Sequence, residues 1–303
     1  MPTITDDPLP DLIRSLRSRV PTDRLRAAKD LARLGSLARD ALPSLVGILR
    51  DDDAKVRDAA AHAVGQMGAD ALPALSGMLA HEDKYVRRHA VWAMGKLGPQ
   101  ARPAMAVLCR GLKDADPRTA TGAAQALGNI GSEAAESVPA LTEAMRGTNI
   151  VLCRLAAKAL SQIGAPALAS LIAHLQHSDP FVRGEAALAL GWMGPAARSA
   201  VPFLGQVVRG KPTRSLDDTP PPTAKIGRST IAEDVSDSIT PLGASTAESS
   251  SPEETCRVYA AQALGRMGAT AANAIPDLCH VSETGPGTLR HAAKHALLNI
   301  QGR

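Results

Sequence analysis

The chain repeats itself. Eight times an alanine-rich run follows a valine-arginine-like pair and closes on a hydrophobic residue and a glycine, most plainly in Val56-Arg57…Gly68, Val86-Arg87…Gly98 and Val182-Arg183…Gly194. Aligned on the closing residue, the copies end at Gly35, Gly68, Gly98, Gly131, Gly164, Gly194, Gly268 and Gln301. Successive closings lie 33, 30, 33, 33, 30, 74 and 33 residues apart. A period in this range predicts a solenoid, in which each unit buries its apolar face only against its neighbours. The predicted fold is therefore all-α, an α-solenoid of eight stacked helix pairs covering 1–303 as a single domain. The step of 74 is one ordinary unit carrying about 41 extra residues.

Each unit reads as a first helix, A, and a second helix, B. Asp53, Asp83, Asp116, Asn149, Asp179 and Glu253 stand 15 residues before a closing position and are the expected N-caps of B, Glu253 being the poorest acceptor among them. Pro117 and Pro180 follow two of these caps at the first helical position, where a missing N–H costs nothing. The closing glycine is expected to end B in a left-handed turn. Pro43, Pro73, Pro103, Pro139, Pro166, Pro202 and Pro276 then open the A helices. Helix B should run for roughly 13 residues, near 20 Å.

Within B, the residue eight before the close is alanine in every copy: Ala27, Ala60, Ala90, Ala123, Ala156, Ala186, Ala260 and Ala293. Larger apolar residues recur four before the close (Leu31, Val64, Met94 and onward) and one before it. These positions share one helical face and predict the common core. An invariant alanine layer implies that another backbone approaches closely there. Aromatic residues make up only 2% of the chain, so large rings cannot build this core.

The two ends depart from the pattern. Asp30 stands where later copies have Ala63, Ala93 and Ala126, and Lys294 replaces an alanine or valine. A charge in a stacking layer is tolerated only where nothing stacks. The array is thus expected to run from an A helix near Pro10–Arg19 to a B helix ending at Ile300. Residues 210–254, dense in Ser, Thr and Pro, are expected to be a disordered insertion between the sixth and seventh repeats. No apolar run is long enough for a membrane span, and Met1–Asp7 has no secretory character. With four scattered cysteines expected to be reduced, the expected location is cytoplasmic.

These residues resemble HEAT repeats, in particular the short HEAT-like type associated with phycobilisome lyases. The carrying motif is Val-Arg-x-x-Ala-Ala-x-Ala-Leu-Gly-x-Met/Ile-Gly, and it covers nearly all the chain outside the insertion. The resemblance is specific for fold and poorly specific for activity. It implies that the residues 13, 10, 9, 6 and 2 before each close line the concave side of a superhelix.

On that stripe stand ten Lys or Arg against two acids, Asp58 and Glu185, a surplus of +8 beside a whole-chain charge of +4. Five of the six aromatic residues lie on it, Phe203 being the exception. The candidate groove comprises Lys55, Tyr85, Arg88, His89, Trp92, Lys96, Arg118, Arg154, Lys158, Phe181, Trp192, Tyr259 and Arg266. Rings beside cations are the material of binding hot spots. Arginine recurs eleven before the close, four residues after the acid in Asp53/Arg57, Asp83/Arg87 and Asp179/Arg183, and is expected to form an intrahelical or inter-repeat ion-pair ladder.

Deoxyhypusine hydroxylase, which the resemblance brings in, holds two irons on paired His-Glu steps. Here the one His-Glu step is His81-Glu82, in a loop, so no metal site of that type and no cofactor are expected. His62, His89, His291 and His295 read as polar surface residues. The glycines are helix ends and form no phosphate cradle. The predicted function is a non-catalytic, monomeric scaffold that binds an acidic protein segment. Nucleic-acid binding by the same groove is the alternative, and a bilin-lyase-like subunit is the third reading.

Overall fold

A computed structural model describes residues 8–210 and 251–302. Among the described residues it contains sixteen α-helices and no strand. The fold is an all-α solenoid of stacked helix pairs. By internal contacts it divides into two units, Met1–Ser137 and Val138–Arg303.

In the first unit the B helices are α2 (Pro21–Leu34), α4 (Ala54–Gln66), α6 (Lys84–Leu97) and α8 (Pro117–Ile130). Each packs on the next, and each carries its A helix: α1 (Leu9–Ser15), α3 (Leu42–Gly47), α5 (Leu72–Met78) and α7 (Met105–Gly111). In the second unit the B layer is α10 (Ile150–Ile163), α12 (Pro180–Met193), α14 (Pro252–Met267) and α16 (Gly287–Gln301). Its A helices are α9 (Val138–Met145), α11 (Ala165–His174), α13 (Val201–Arg209) and α15 (Ile275–Thr284). Helix α12 packs directly on α14 although 58 residues, Gly194–Ser251, separate them in sequence. Of the expected insertion 210–254, Ser251–Glu254 cap and begin α14, Gly210 ends α13, and the remainder lies outside the described residues.

The alanine layer is buried in every copy, with at most 1% exposure. The close approaches behind it have two origins. A Cβ added to Gly111 of α7 would lie 3.1 Å from the Ala123 methyl, so the A helix rides on the alanine of its own repeat. Between repeats the tight seam lies elsewhere. Cβ atoms added to Gly95, Gly191 and Gly265 would lie 3.6, 2.9 and 3.0 Å from the Cα atoms of Ala126, Ala263 and Ala296 in the next B helix. Glycine three before the close thus meets alanine five before the next close. At that alanine register the first repeat carries Asp30, which forms an ion pair with Arg33 of its own helix.

Asp53, Asp83, Asp116, Asn149 and Asp179 each accept a hydrogen bond from a first-turn amide, as N-caps do. Glu253 does not. Ser251 caps α14 two residues earlier, placing Glu253 inside the first turn, where it forms an ion pair with Arg183. The closing glycines have positive φ but are not left-handed helical: Gly35 sits at φ 55°, ψ −128° and Gly131 at φ 76°, ψ −145°. That mirror-extended region is glycine's own. It launches a 3-10 segment, such as Gly35–Ala41 or Gly194–Ala200, before each of several A helices, which are correspondingly short.

The arginine ladder runs between repeats. Arg24 Nε and Nη2 donate to Asp51 at 2.6 and 2.8 Å, and Arg87 makes the same bidentate pair with Asp114 at 2.8 and 3.0 Å. The aspartates four residues ahead are occupied as caps, so of the two pairings expected, intrahelical or inter-repeat, Arg87 and Arg183 make the inter-repeat one, with Asp114 and Glu253. Arg57 has no carboxylate at the equivalent place, because His81 occupies it. Its Nη1 instead donates to the carbonyls of Asp51 and Asp52 at 2.6 and 3.0 Å.

Candidate functional site

The predicted face falls in two places, one in each unit. In the first unit it centres on α6, where Tyr85, Arg88, His89, Trp92 and Lys96 follow helical spacing along one side. Tyr85 is 43% and Trp92 41% exposed, unusual for rings in a chain whose core is alanine and leucine. Three cations surround the Tyr85 ring: the guanidinium carbons of Arg57 and Arg88 each lie 5.1 Å from its centroid, and Lys84 Nζ lies at 5.4 Å. Lys96 Nζ stands 5.0 Å from the Trp92 centroid, and the His62 ring is tilted against Trp92 at 6.4 Å. Such cation–π contacts restrain rings that remain more than a third exposed.

Arg88 does not present a free charge. Its Nε donates to Asp116 Oδ2 at 2.8 Å, and its Nη2 donates to the other oxygen. Asp116 also accepts the Thr119 amide at 2.8 Å and hydroxyl at 2.9 Å. Burial alone would raise the Asp116 pKa, but Arg88 and Thr119 outweigh it and hold the carboxyl well below the usual range. Arg88 is raised in turn, chiefly by its hydrogen bonds to Asp116. One aspartate therefore caps α8, clamps α6 onto it and fixes the guanidinium against Tyr85. His89 bridges back to α4, with Nε2 3.2 Å from Asp58 Oδ1 and Nδ1 2.5 Å from the Tyr85 carbonyl. Lys55 on α4 and Arg118 on α8 are exposed.

In the second unit the stripe is more deeply embedded. Glu185 is only 1% exposed, and Arg154 of α10 donates to its Oε1 from Nη2 at 3.2 Å and Nε at 3.4 Å. Burial lowers the Arg154 pKa, but Glu185 lifts it by more, so the guanidinium stays charged. Tyr259 is half-buried beside this pair, and burial raises its pKa. Gly184 makes room for it: a Cβ there would lie 3.3 Å from Tyr259 Cδ2. Phe181 and Lys158 are half-covered, and Leu155 and Leu188 are buried. Trp192 is 37% exposed; Arg266 of α14 packs against the preceding Gly191, where an added Cβ would lie 3.6 Å from its Cδ, and burial lowers its pKa.

The stripe positions were expected to line one open face. The structure separates them. Glu185, Leu155 and Leu188 belong to the packing, and Arg88 and Arg154 spend their charge on inter-repeat carboxylates, one of which, Asp116, lies off the stripe. Lys55, Lys96, Arg118, Lys158 and Arg266 form no ion pair with a described residue. Asp116 was legible as a cap but not as the partner of Arg88, since nothing in its repeat register marks it from Asp53 or Asp83. Among the described residues no three His, Cys, Asp or Glu converge as a metal-ligand set, and no helix is long and apolar enough to cross a membrane. All four cysteines are free thiols.

Short helix pairs stacked in register, with rings and cations exposed on the B layer, define a helical-repeat protein. The chain belongs to the HEAT-repeat family, whose model, described as HEAT repeats, matches residues 9–83, 72–151 and 138–216. A second model, PBS lyase HEAT-like repeat, matches residues 257–284. No curated protein matches the sequence. Among solved structures, Kap121p bound to Pho4p shares the fold at 14% identity and a TM-score of 0.52, covering 98% of this chain and 34% of that one. Human deoxyhypusine hydroxylase in complex with glycerol matches at 20% identity and a TM-score of 0.37, over 97% and 96% of the two chains. The complex of CpcE and CpcF of phycocyanin lyase from Nostoc sp. PCC7120 matches at 18% and 0.43, over 50% of this chain and 98% of that one.

Proposed function

We propose that the chain is a non-catalytic interaction scaffold that binds an acidic segment of a partner protein on the exposed face of its B helices. The observation that carries this reading is the exposure of both tryptophans. A core of alanine, leucine and valine has no need of them, and each stands on the variable stripe, Trp92 with Lys96 Nζ 5.0 Å from its centroid. Aromatic and cationic side chains together supply most of the energy in protein interfaces. The unpaired cations favour a partner of negative charge. HEAT folds accommodate protein ligands, and the structure of Kap121p bound to Pho4p supports the reading at the level of fold.

The test is to replace Trp92 and Trp192 by alanine, separately and together, and to measure partner binding beside far-UV circular dichroism. The expected result is lost binding with helicity unchanged. Variants that unfold would mean that the rings serve the stack, and the reading would be withdrawn. Nucleic-acid binding is the second reading, favoured by the same unpaired cations. It requires an affinity for any single or double strand that falls steeply with salt, whereas a ring-anchored peptide should survive moderate salt.

A further inference from the structure

The B helices of the first unit place like register positions side by side, which makes a small grid. Thirteen before the close, the row across α4, α6 and α8 reads Lys55, Tyr85, Arg118, a ring between two exposed cations. Six before the close, it reads His62, Trp92, Gln125. Along α6 the two rings are seven residues apart, about 10 Å of helix rise, with His89 between them on the same side. Subtracting the thickness of a ring, roughly 3.5 Å, gives a spacing of about 7 Å above His89, which is folded down onto Asp58 and the Tyr85 carbonyl and would floor a notch for one aliphatic side chain. Across the row, packed helices stand about 8–10 Å apart. The cations therefore flank Tyr85 at about that distance on either side.

An extended chain crossing the row must match this spacing. In polyproline II geometry three residues span about 9.3 Å and return to the same side, whereas a β-strand at three residues points the opposite way. Resting on the functional reading above, we propose that this surface binds an acidic segment in polyproline II form, with an apolar side chain between Tyr85 and Trp92 and carboxylates three residues to each side on Lys55 and Arg118. The neighbouring guanidiniums have a different part. Arg57 is held by carbonyls and Arg88 by Asp116, so they brace Tyr85 and leave direct recognition to Lys55 and Arg118. Charge complementarity selects an acidic occupant: Lys55 and Arg118 are exposed without an ion-pair partner among the described residues, against the single acid Asp58 on this part of the face, which His89 contacts at 3.2 Å.

The full chain should be titrated with a fluorescein-labelled peptide, Gly-Glu-Ser-Pro-Leu-Ser-Pro-Glu-Gly, and with two controls that change Leu to Ser or both Glu to Gln. Each control is expected to bind at least about tenfold more weakly. Trp92→Ala, Tyr85→Ala and the pair Lys55→Glu with Arg118→Glu should each cost about tenfold or more, with circular dichroism intact throughout. A peptide that fails to bind at about 1 mM, or binds equally without its leucine, overturns the proposal. Dependence on Trp192 instead of Trp92 also overturns it but leaves the broader scaffold reading standing. Equal binding of single-stranded DNA of the same charge, indifferent to either tryptophan, overturns both. If Trp92→Ala disturbs folding, Trp92→Phe serves instead: a ring-preserving variant should keep most of the affinity, and its complete loss refutes the notch.

Discussion

Asp116 joins three tasks in one side chain, and substitution can separate them. Asparagine keeps the cap, as Asn149 does at the same register in the next repeat, where its Oδ1 accepts the Leu152 amide. It removes only the charge that clamps Arg88. Alanine removes both. The Asp116 side chain is 7% exposed and Arg88 21%, so the pair is shielded well beyond a surface salt bridge. Charge-assisted hydrogen bonds contribute about 1.5–3 kcal/mol. Asp116→Asn should therefore cost about 2 kcal/mol, and Asp116→Ala about 1 kcal/mol more for the lost cap. The carboxyl is held below its ordinary value of 3.8, so its contribution is complete above that value and fades as pH falls toward the folded pKa. Urea unfolding followed by circular dichroism should show a constant gap between wild type and Asp116→Asn from about pH 8 to about pH 5, narrowing from about pH 4 to about pH 2. A gap that stays flat into acid, or an asparagine variant as damaged as the alanine one, would refute the charge argument.

Three further outcomes are expected. A Cβ on Gly122 would sit 2.6 Å from Val91 Cγ2, so Gly122→Ala should destabilise by about 1–3 kcal/mol, and Val91→Ala in the same chain should recover part of that loss in a double-mutant cycle. At Gly191 the obstacle is the Ala263 backbone at 2.9 Å, which cannot turn aside. Gly191→Ala should therefore cost about as much, with no rescue from a smaller partner side chain, as a thermal melt would show. Arg154→Leu strips the guanidinium from a carboxylate that is 1% exposed and should lower stability by about 3 kcal/mol, whereas Lys158→Leu, on the same helix but unpaired, should change it by less than about 0.5 kcal/mol in urea titrations.

The sequence determined the architecture because a solenoid is written one unit at a time. The alanine eight before each close, the Asp or Asn caps of five B helices and the closing glycines all act within one repeat or on its nearest neighbour. Local spacing therefore predicts them. It also located the exposed rings Tyr85, Trp92 and Trp192, since three residues that the core does not use stand out in a chain with six aromatics. Only the tertiary structure decided where charge goes. Arg87 leaves Asp83, four residues away, for Asp114, 27 residues on, because the nearer carboxylate already caps the helix. Arg154 folds onto a buried Glu185 that on sequence spacing looked like part of the open face. An ion pair between repeats depends on how one helix is turned against the next, and periodicity fixes the neighbour without fixing which of its carboxylates a guanidinium will reach.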